Sequence, residues 1–326
     1  MNKTVCAVVV TYNRKELLLK CLESIKKQSK PLDAIYLIDN ASTDGTPHIL
    51  KENNYIKEIP PETLQNPWEN MFIIKNSTNK NDLKLHYVRI HENTGGAGGF
   101  HEGIKRAYKK GYDWLWLMDD DTLASNNSLN NLLNKVDILD EKAGFFCSKV
   151  LWKDKNIHLM NIPQIQPFIT NIPFNRYEDK DILLVKAASF VSVLLQKEII
   201  SEFGFPLKKF FIWGDDVEYT SRITNNNYIG IYVKDSIVYH NTKENYSTDI
   251  FSDRIENLWK YSFGIRNNLY IIKQRSIIIF FVYILYHILG VNFNILRYRK
   301  DNKLNFLVVN TKASLSSLVF KPEEDN

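Results

Sequence analysis

Three adjacent carboxylates, Asp119, Asp120 and Asp121, directly follow the apolar residues 114–118. Such an apolar run is typical of a buried strand, so the carboxylates stand where that strand leaves its sheet. Unpaired carboxylates are costly to bury, and a divalent cation removes that cost. Oxygen ligands of this kind suit Mg²⁺ or Mn²⁺, which also hold phosphates. The cluster indicates a metal and phosphate site, and a solvated acidic turn is the alternative.

A second carboxylate pair, Asp215 and Asp216, follows the aromatic residues Phe211 and Trp213. A hydroxyl that attacks a sugar carbon needs a base to take its proton, and a carboxylate can supply one. Two neighbouring carboxylates also raise each other's pKa, which suits a base. The aromatic rings are suited to stacking on the face of an acceptor sugar. The alternative is a helix N-terminus, where acidic residues are favoured.

His240 ends a later apolar segment, 24 residues after Asp216. Taken alone, it is more typical of a structural histidine whose hydrogen bonds are satisfied. Beside Asp119 and Asp121 it would complete a nitrogen and oxygen ligand set that suits Mn²⁺.

Asp39 ends another short apolar run and is followed by Asn40 and the polar residues 41–46. A carboxylate at a strand end can accept a hydrogen bond from a uracil imide or a ribose hydroxyl. An Asx turn followed by a helix N-cap explains the same residue types without a ligand. Both interpretations stay open on the sequence alone.

Four glycines occupy the five positions 95–99, directly after Asn93 and Thr94. Backbone N–H groups at a glycine-rich helix start can approach an anion such as a sugar diphosphate. The run does not fit the GxGxxG frame, and the chain has no GxxxxGK[ST] motif, which excludes a dinucleotide fingerprint and a P-loop. A tight strand-to-helix turn is the alternative.

The elements that position these groups alternate along the first 120 residues. Strand patterns occupy residues 5–10, 34–38, 85–90 and 114–118, and helix patterns occupy residues 15–28 and 98–110. This alternation predicts an α/β fold, with a Rossmann-like, mostly parallel sheet and helices on both faces. In such sheets the ligand lies beyond the carboxyl ends of the strands. Four of those predicted ends carry polar clusters, at residues 11–14, 39–40, 91–93 and 119–121.

Two stretches interrupt the pattern. Residues 53–82 and 153–181 are rich in proline and asparagine, and we expect insertion loops there, the first of them a lid. Beyond them, residues 185–195 and 229–239 are strand-like, and residues 210–223 lead into a helix.

The overall composition sets broad limits. The chain has 326 residues, 44% of them hydrophobic, which is typical of one large or two smaller globular domains. A net charge of +5 without a basic, aromatic-interleaved run argues against a nucleic-acid partner. Three scattered cysteines predict neither a disulfide framework nor a zinc site and favour a reducing compartment. The first apolar run, six residues long, is too short for a signal peptide.

Residues 276–290 form the segment SIIIFFVYILYHILG, with an apolar core of about 13 residues. That core is shorter than the roughly 20 residues that span a bilayer. Basic residues flank it, at Lys273, Arg275, Arg297, Arg299, Lys300 and Lys303. A short apolar helix with cationic flanks predicts contact with a membrane surface. A buried helix, a dimer interface and a spanning helix are the alternatives.

Five motifs, taken in order, resemble glycosyltransferase family 2, whose members have the GT-A fold. They are Thr11-Tyr12-Asn13-Arg14, Asp39-Asn40-Ala41-Ser42-Thr43-Asp44-Gly45, Asp119-Asp120-Asp121, Trp213-Gly214-Asp215-Asp216-Val217-Glu218 and His240. The segments NTGGAGGF and WGDDVEY resemble the galactofuranosyltransferase-type members in particular. The resemblance covers roughly residues 4–270.

This resemblance implies an inverting transfer of a sugar from a nucleotide-sugar donor, with Mn²⁺ or Mg²⁺ as cofactor. Asp119, Asp121 and His240 would hold the metal, and Asp216, beside Asp215, would be the general base. The residues expected to bind the donor are Thr11, Tyr12, Arg14, Asp39, Asn93, Gly95, Gly96, Asp120 and Trp213. Arg266, in the similar stretch 261–268, is a candidate phosphate contact.

Together these patterns predict a cytoplasmic enzyme, peripheral on the inner face of a bacterial cell membrane. We expect a catalytic domain at residues 1–245 and a helical segment at residues 246–326, and we leave open whether the chain forms a homo-oligomer. The preferred donor is UDP-galactofuranose, with dTDP-rhamnose as the alternative, and the expected acceptor is a lipid-linked oligosaccharide for a surface polysaccharide. A sugar-phosphate nucleotidyltransferase and a non-catalytic glycan-binding protein are the alternatives from other classes.

Overall fold

The structure is a computed structural model that describes residues 3–136 and 142–322. The parts of the two predicted domains at residues 1–2, 137–141 and 323–326 lie outside the described residues. The first half of the chain alternates strands and helices, as predicted. Its elements are β1 (Val5–Thr11), α1 (Lys15–Lys26), β2 (Ala34–Asp39), α2 (Thr46–Glu52), β3 (Trp68–Lys75), β4 (Asp82–Arg89), α3 (Gly95–Lys110) and β5 (Trp114–Asp119).

The second half of the catalytic part is less regular. It contains two long strands together with several short strands and helices. Its elements are β6 (Thr122–Ala124), α4 (Ser128–Leu133), β7 (Ala143–Leu151), β8 (Phe168–Ile169), β9 (Ile172–Pro173), β10 (Ile182–Val185), β11 (Val193–Gln196), α5 (Lys197–Phe203), α6 (Asp215–Thr224) and β12 (Ile229–His240).

One ten-stranded sheet lies at the centre, in the order β10-β12-β7-β11-β5-β1-β2-β4-β3, and β6 pairs with β12. Strand β1 is parallel to β2 and β5, β2 is parallel to β4, and β12 is parallel to β7. Because β11 is antiparallel to both β5 and β7, strand β12 runs in the same direction as β5. The carboxyl ends of β1, β2, β5 and β12 therefore meet at one edge, and the predicted α/β class is confirmed.

Local sequence explains why these elements form. Strand β1 is buried along its whole length, because helices cover both faces of a largely parallel sheet. Helix α1 buries Leu18, Cys21, Leu22 and Ile25, which recur every three or four residues on one face.

The prediction of an uninterrupted insertion loop at residues 53–82 is wrong. Residues 68–75 form the edge strand β3, which pairs with β4 in antiparallel register. Phe72 and Ile74 face the core, whereas Met71 and Ile73 are 46% exposed. This period-two alternation is the strand signal, and the surrounding prolines and asparagines obscured it.

The chain ends in a set of packed helices. They are α7 (Leu258–Arg275), α8 (Ile277–Tyr286), a π-helical segment (His287–Val291), α9 (Asn292–Tyr298) and α10 (Lys303–Val319). From α8 to α9 the helix is continuous over the 22 residues Ile277–Tyr298. The helix therefore continues past Gly290, beyond the apolar core of about 13 residues counted in the sequence. By length and composition alone the helix could cross a membrane, and only 17% of its most apolar window is buried.

Candidate active site

A cavity of about 870 Å³ opens at the carboxyl edge of the sheet. The ends of β1, β5 and β12, the loop before α6 and one face of α7 form its walls. Every predicted site residue lines this cavity except Asp39 and the candidate phosphate contact Arg266. The fold thus brings together groups that are far apart in the chain, such as Thr11 and His240.

The end of β1 holds Asp120 in place. The Thr11 hydroxyl donates to Asp120 Oδ2 at 2.7 Å, and the Tyr12 N–H donates to the same oxygen at 3.3 Å. The Arg14 guanidinium donates to Asp120 Oδ1 at 3.2 Å and to Asp121 Oδ2 at 2.6 Å. Burial raises the pKa of Asp120 to about 7, although the Arg14 charge opposes the rise. Residues 11–14 therefore orient and partly neutralise two of the three carboxylates.

Asp119, Asp121 and His240 meet as a possible ligand set for a metal ion. One ligand atom from each of the three lies within 4.8 Å of the other two. Asp121 Oδ1 is buried and receives no well-directed hydrogen bond from the described residues, although His240 Nε2 is 3.0 Å away. A carboxylate oxygen and an imidazole nitrogen this close together can both ligate one divalent cation. The residues present therefore fit a divalent cation.

Asn161 sets the orientation of the His240 ring. The Asn161 amide nitrogen donates to Ser189 Oγ at 2.8 Å, so its oxygen faces His240 and accepts from Nδ1 at 2.7 Å. His240 Nε2 is then left as the nitrogen available to a metal. Sequence reasoning missed Asn161, because it lies in the irregular stretch 153–181 where no spacing or composition signal singles it out.

The predicted carboxylate pair lies in the first turn of α6, after Gly214 in a left-handed conformation. Burial raises the pKa of Asp215 well above its ordinary value, and the charge of Asp216 adds to the rise. Burial also raises the pKa of Asp216, to about 6, although the Val217 N–H donates to its Oδ1 at 2.7 Å. Asp216 is therefore the member of the pair that ionises more readily near neutral pH.

Asp39 is fully buried, and protein groups occupy both of its carboxylate oxygens. The Ser42 N–H donates to Oδ1 at 2.8 Å, and the Tyr87 hydroxyl and the Arg89 guanidinium donate to Oδ2 at 2.7 and 2.6 Å. The Ser42 bond is a local turn contact, whereas Tyr87 and Arg89 belong to the neighbouring strand β4. The Asx-turn alternative is seen at Asp44, whose Oδ1 accepts from the Thr46 N–H at 3.1 Å. The contact of Asp39 with a nucleoside stays a prediction, to which the observed bonds add no support.

The glycine run begins α3 at Gly95, three residues earlier than predicted. Gly95 has φ +72°, and a Cβ at this position would lie 2.0 Å from the Phe211 carbonyl oxygen. The Ala97 N–H donates to that oxygen at 3.1 Å, and the Gly95 N–H donates to Asn93 Oδ1 at 2.9 Å. Close packing against the Phe211 backbone explains the glycine at position 95, as the tight-turn alternative predicts. Gly96 has open space beside it, and its contact with an anion stays a prediction.

Asn40, directly after β2, connects the end of that strand to this glycine turn through hydrogen bonds. Its side-chain nitrogen donates to Asn93 Oδ1 at 3.0 Å and to the Gly95 carbonyl at 2.8 Å, and its oxygen accepts from Thr94. Asn40 also lines the cavity. Its place in the Asp39-Asn40 motif was the only sequence signal for it.

The loop before α6 is strained. Phe211 has φ +65° and ψ −64°, and the Ile212 N–H bonds the Phe210 carbonyl at 2.8 Å across it. This is the rare γ-turn with positive φ at its central residue. Trp213 also has a positive φ, of 64°. Strain of this kind persists only where the surroundings hold it in place.

Asn267, on α7, holds this loop. It is fully buried, and its Nδ2 lies within hydrogen-bond distance of the carbonyls of Phe210, Ile212 and Trp213, at 2.9, 3.2 and 2.8 Å. The contacts fix the loop that leads into Asp216. Through these contacts the stretch 261–268 positions the loop. The sequence suggested no firm role for this stretch.

Arg266 does not serve as the candidate phosphate contact. It is not among the residues that line the cavity. Its guanidinium donates to the Lys209 carbonyl at 2.9 Å and lies 3.8 Å from the centroid of the Phe320 ring. Neighbouring positions on a helix point in different directions, and Arg266 points away from the cavity.

Replacing Asn267 with alanine should destabilise the protein by about 3 kcal/mol, because the buried loop carbonyls of Ile212 and Trp213 lose their side-chain donor and that of Phe210 loses one of its donors. We also expect kcat to fall, since the strained loop would relax and move Asp216. Denaturant unfolding and steady-state kinetics measure the two effects. The neighbouring Asn268→Ala variant is the control for stability, because Asn268 is exposed and makes no side-chain hydrogen bond within the described residues. An unchanged unfolding free energy in Asn267→Ala would contradict the proposed positioning function.

Together, the sheet and the cavity define a class of protein. A carboxylate and histidine metal group stands at the carboxyl edge of an α/β sheet, and a separate buried carboxylate pair lines the same cavity. This is the layout of a GT-A glycosyltransferase. The family model described as Glycosyl transferase family 2 matches residues 6–67 and 72–202, more than half of the chain. The chain therefore belongs to glycosyltransferase family 2 and is a glycosyltransferase.

Curated relatives lie within the same family. The chain is 25% identical over 250 residues to galactofuranosyltransferase GlfT1 of Mycolicibacterium smegmatis, an alignment that covers 69% of this chain and 67% of that protein. It is 23% identical over 244 residues to GlfT1 of Mycobacterium tuberculosis H37Rv, covering 68% of this chain and 65% of that protein. The alignments thus span about two thirds of the length of these relatives. The predicted family resemblance is confirmed, and both alternatives from other classes are set aside.

Solved structures share the fold. A crystal structure of GalNAc-T7 with UDP, GalNAc and Mn²⁺ matches with a TM-score of 0.56 at 16% identity, covering 83% of this chain and 48% of that one. Residues 1–349 of S. aureus TarS in complex with UDP match with a TM-score of 0.51 at 14% identity, covering 83% of this chain and 65% of that one. At these identities the likeness establishes the GT-A fold alone.

Proposed function

We propose that this protein transfers galactofuranose, with inversion, from UDP-galactofuranose to a hydroxyl of a lipid-linked glycan for a bacterial surface polysaccharide. The observation that carries the proposal is one cavity with two sets of carboxylates. Asp119 and Asp121 stand with His240 at the ends of the strands, and Asp216 stands on a separate helix. An inverting transfer needs one group for the leaving diphosphate and a base for the incoming hydroxyl.

The chain's own residues have distinct tasks in this reaction. Asp216 accepts the proton of the acceptor hydroxyl as its oxygen bonds to the anomeric carbon. The glycosidic bond to the diphosphate breaks, and its electron pair leaves with the nucleoside diphosphate. A divalent cation, Mn²⁺ or Mg²⁺, held by Asp119, Asp121 and His240 would stabilise the charge that develops there. Arg14 and Thr11 keep the carboxylate cluster in place.

The similarity to GlfT1 supports the choice of donor. The rival donor dTDP-rhamnose would require a different base and sugar pocket on the same scaffold. The deciding experiment incubates the full chain with Mn²⁺ and a panel of nucleotide sugars and records the release of UDP or dTDP. Release of UDP from UDP-galactofuranose above the rate from UDP-galactopyranose supports the proposal, and turnover of dTDP-rhamnose alone overturns the donor.

The C-terminal helices support a peripheral membrane location on the cytoplasmic face. Residues 258–322 contain ten lysines or arginines and one acidic residue, so this part carries a net +9 while the rest of the chain carries −4. The same helices expose large apolar side chains, including Ile278 (74%), Leu285 (58%) and Leu289 (62%). An apolar surface within a strongly cationic segment suits anionic lipid. A lipid-linked acceptor would then be close to the cavity that α7 lines.

Replacing Phe281 and Leu285 together with aspartate should weaken binding to anionic vesicles by at least about tenfold, because two exposed apolar side chains no longer insert. Vesicle co-sedimentation measures binding, and activity on a water-soluble acceptor should stay unchanged. Phe168→Asp, at an exposed apolar position outside these helices, is the matched control. Equal sedimentation of the variant and the natural protein would contradict the membrane location. Loss of self-association in ultracentrifugation would assign this surface to a dimer interface instead.

A further inference from the structure

Lys260 lies in the first turn of α7 and lines the cavity. The lining residues of this helix recur at helical spacing, at Lys260 and Tyr261, at Gly264 and Ile265, and at Asn268. One face of α7 therefore forms a wall of the cavity. Lys260 is the cation on that wall.

Aromatic rings flank the Lys260 ammonium. Its Nζ lies 5.8 Å from the centroid of the Trp213 ring and 5.9 Å from that of Trp259. These separations are near the outer limit of a cation–π contact, so they bias the position of the side chain more than they neutralise its charge. The rings leave its donors available to the cavity.

Lys260 has no ion-pair partner within 4.0 Å among the carboxylates of residues 3–136 and 142–322. Arg14, the other strong cation of the cavity, is paired with both Asp120 and Asp121. Burial lowers the pKa of Lys260 and the Arg14 charge lowers it further, whereas the Asp253 charge opposes the fall. The charges of Arg14 and Lys260 therefore repel each other, and only Arg14 has a carboxylate in contact.

A half-buried cation with no carboxylate in contact is stabilised when a ligand supplies the opposite charge. The nucleotide proposed for this cavity carries a diphosphate, and that anion would supply the opposite charge. An ammonium with three donors is well suited to diphosphate oxygens.

We propose that Lys260 binds the diphosphate of the nucleotide and thereby makes the C-terminal helices part of the donor site. This inference rests on the proposed function, because it requires a nucleoside diphosphate in the cavity. Negative charge on the diphosphate increases as the sugar leaves, so the contact strengthens toward the transition state. Lys260 then contributes to kcat as well as to nucleotide affinity.

Calorimetry of the full chain with UDP at saturating Mn²⁺ tests the proposal. The Lys260→Met variant should bind UDP about tenfold or more weakly, and Lys260→Arg should recover most of the affinity. Uridine, which has no phosphate, should bind both variants as it binds the natural protein, measured by saturation-transfer NMR. Lys312→Met, at an exposed lysine of α10 outside the cavity, is the matched control.

Equal UDP affinity in Lys260→Met and the natural protein overturns the proposal. A parallel loss of uridine binding in Lys260→Met also overturns it, because the lysine would then be structural. Preference of the natural protein for dTDP over UDP refutes the proposed donor alone, and the same variants are then compared with dTDP. Binding of neither nucleotide overturns both proposals.

Discussion

Replacing Asp216 with asparagine is expected to lower kcat by about 10²- to 10⁴-fold, because the acceptor hydroxyl loses the base that takes its proton. Asparagine keeps the shape of the side chain and its place in the first turn of α6. UDP binding should therefore stay within about twofold of the natural value, since Asp216 acts on the acceptor. Stopped assays of UDP release measure kcat, and calorimetry measures the affinity for UDP.

The control for Asp216→Asn is Asp235→Asn, which removes a carboxylate at an exposed position outside the cavity. It should leave kcat unchanged. Asp215→Asn separates the two members of the pair, because a base at Asp215 would make that variant the more damaged one. Full turnover in Asp216→Asn would remove Asp216 from the reaction.

The pH dependence of kcat/KM gives an independent check on the base. Burial raises the pKa of Asp216 to about 6, and the Asp119 charge contributes to the rise. The base must be ionised to act, so activity should increase as pH rises through that value. A bound cation offsets the Asp119 charge, which places the acid limb at or somewhat below about 6. A limb that persists unchanged in Asp216→Asn would belong to another group.

The second large effect is expected for Asp121→Asn, which should weaken Mn²⁺ binding by about hundredfold or more. Asp121 is the carboxylate nearest to His240, at 3.0 Å, and its Oδ1 receives no well-directed hydrogen bond from the described part of the chain. Loss of the ligand also removes charge stabilisation from the departing diphosphate, so kcat should fall by about 10²- to 10³-fold. Electron paramagnetic resonance of Mn²⁺ measures the binding directly.

Glu256→Gln is the control for charge, because Glu256 is an exposed acid outside the cavity. Asn161→Ala adds a graded test, since it leaves all three proposed ligands present and releases only the His240 ring. We expect about tenfold weaker Mn²⁺ binding from that change. If Asp121→Asn bound Mn²⁺ as tightly as the natural chain, the metal site would have to lie elsewhere.

Strand and helix periodicity in the sequence was enough to predict the parallel half of the sheet and the edge at which ligands bind. The reason is local, because an apolar run such as residues 5–10 is buried in any fold that covers both faces of a parallel sheet. Polar residues after such runs must then gather at one edge. For this reason thirteen of the fifteen predicted site residues line one cavity.

Tertiary structure alone decided which side chain contacts which. Asp39 obeys the same strand-end rule as Asp119, yet Tyr87 and Arg89 occupy its carboxylate. Asn161 and Asn267 come from stretches without a periodic signal, and they act through side-chain hydrogen bonds to groups distant in the chain. Periodicity reports which face of an element is buried, whereas a polar contact depends on the packing of whole elements against one another. Lys260 meets the cavity only because α7 packs beside the loop that carries Trp213.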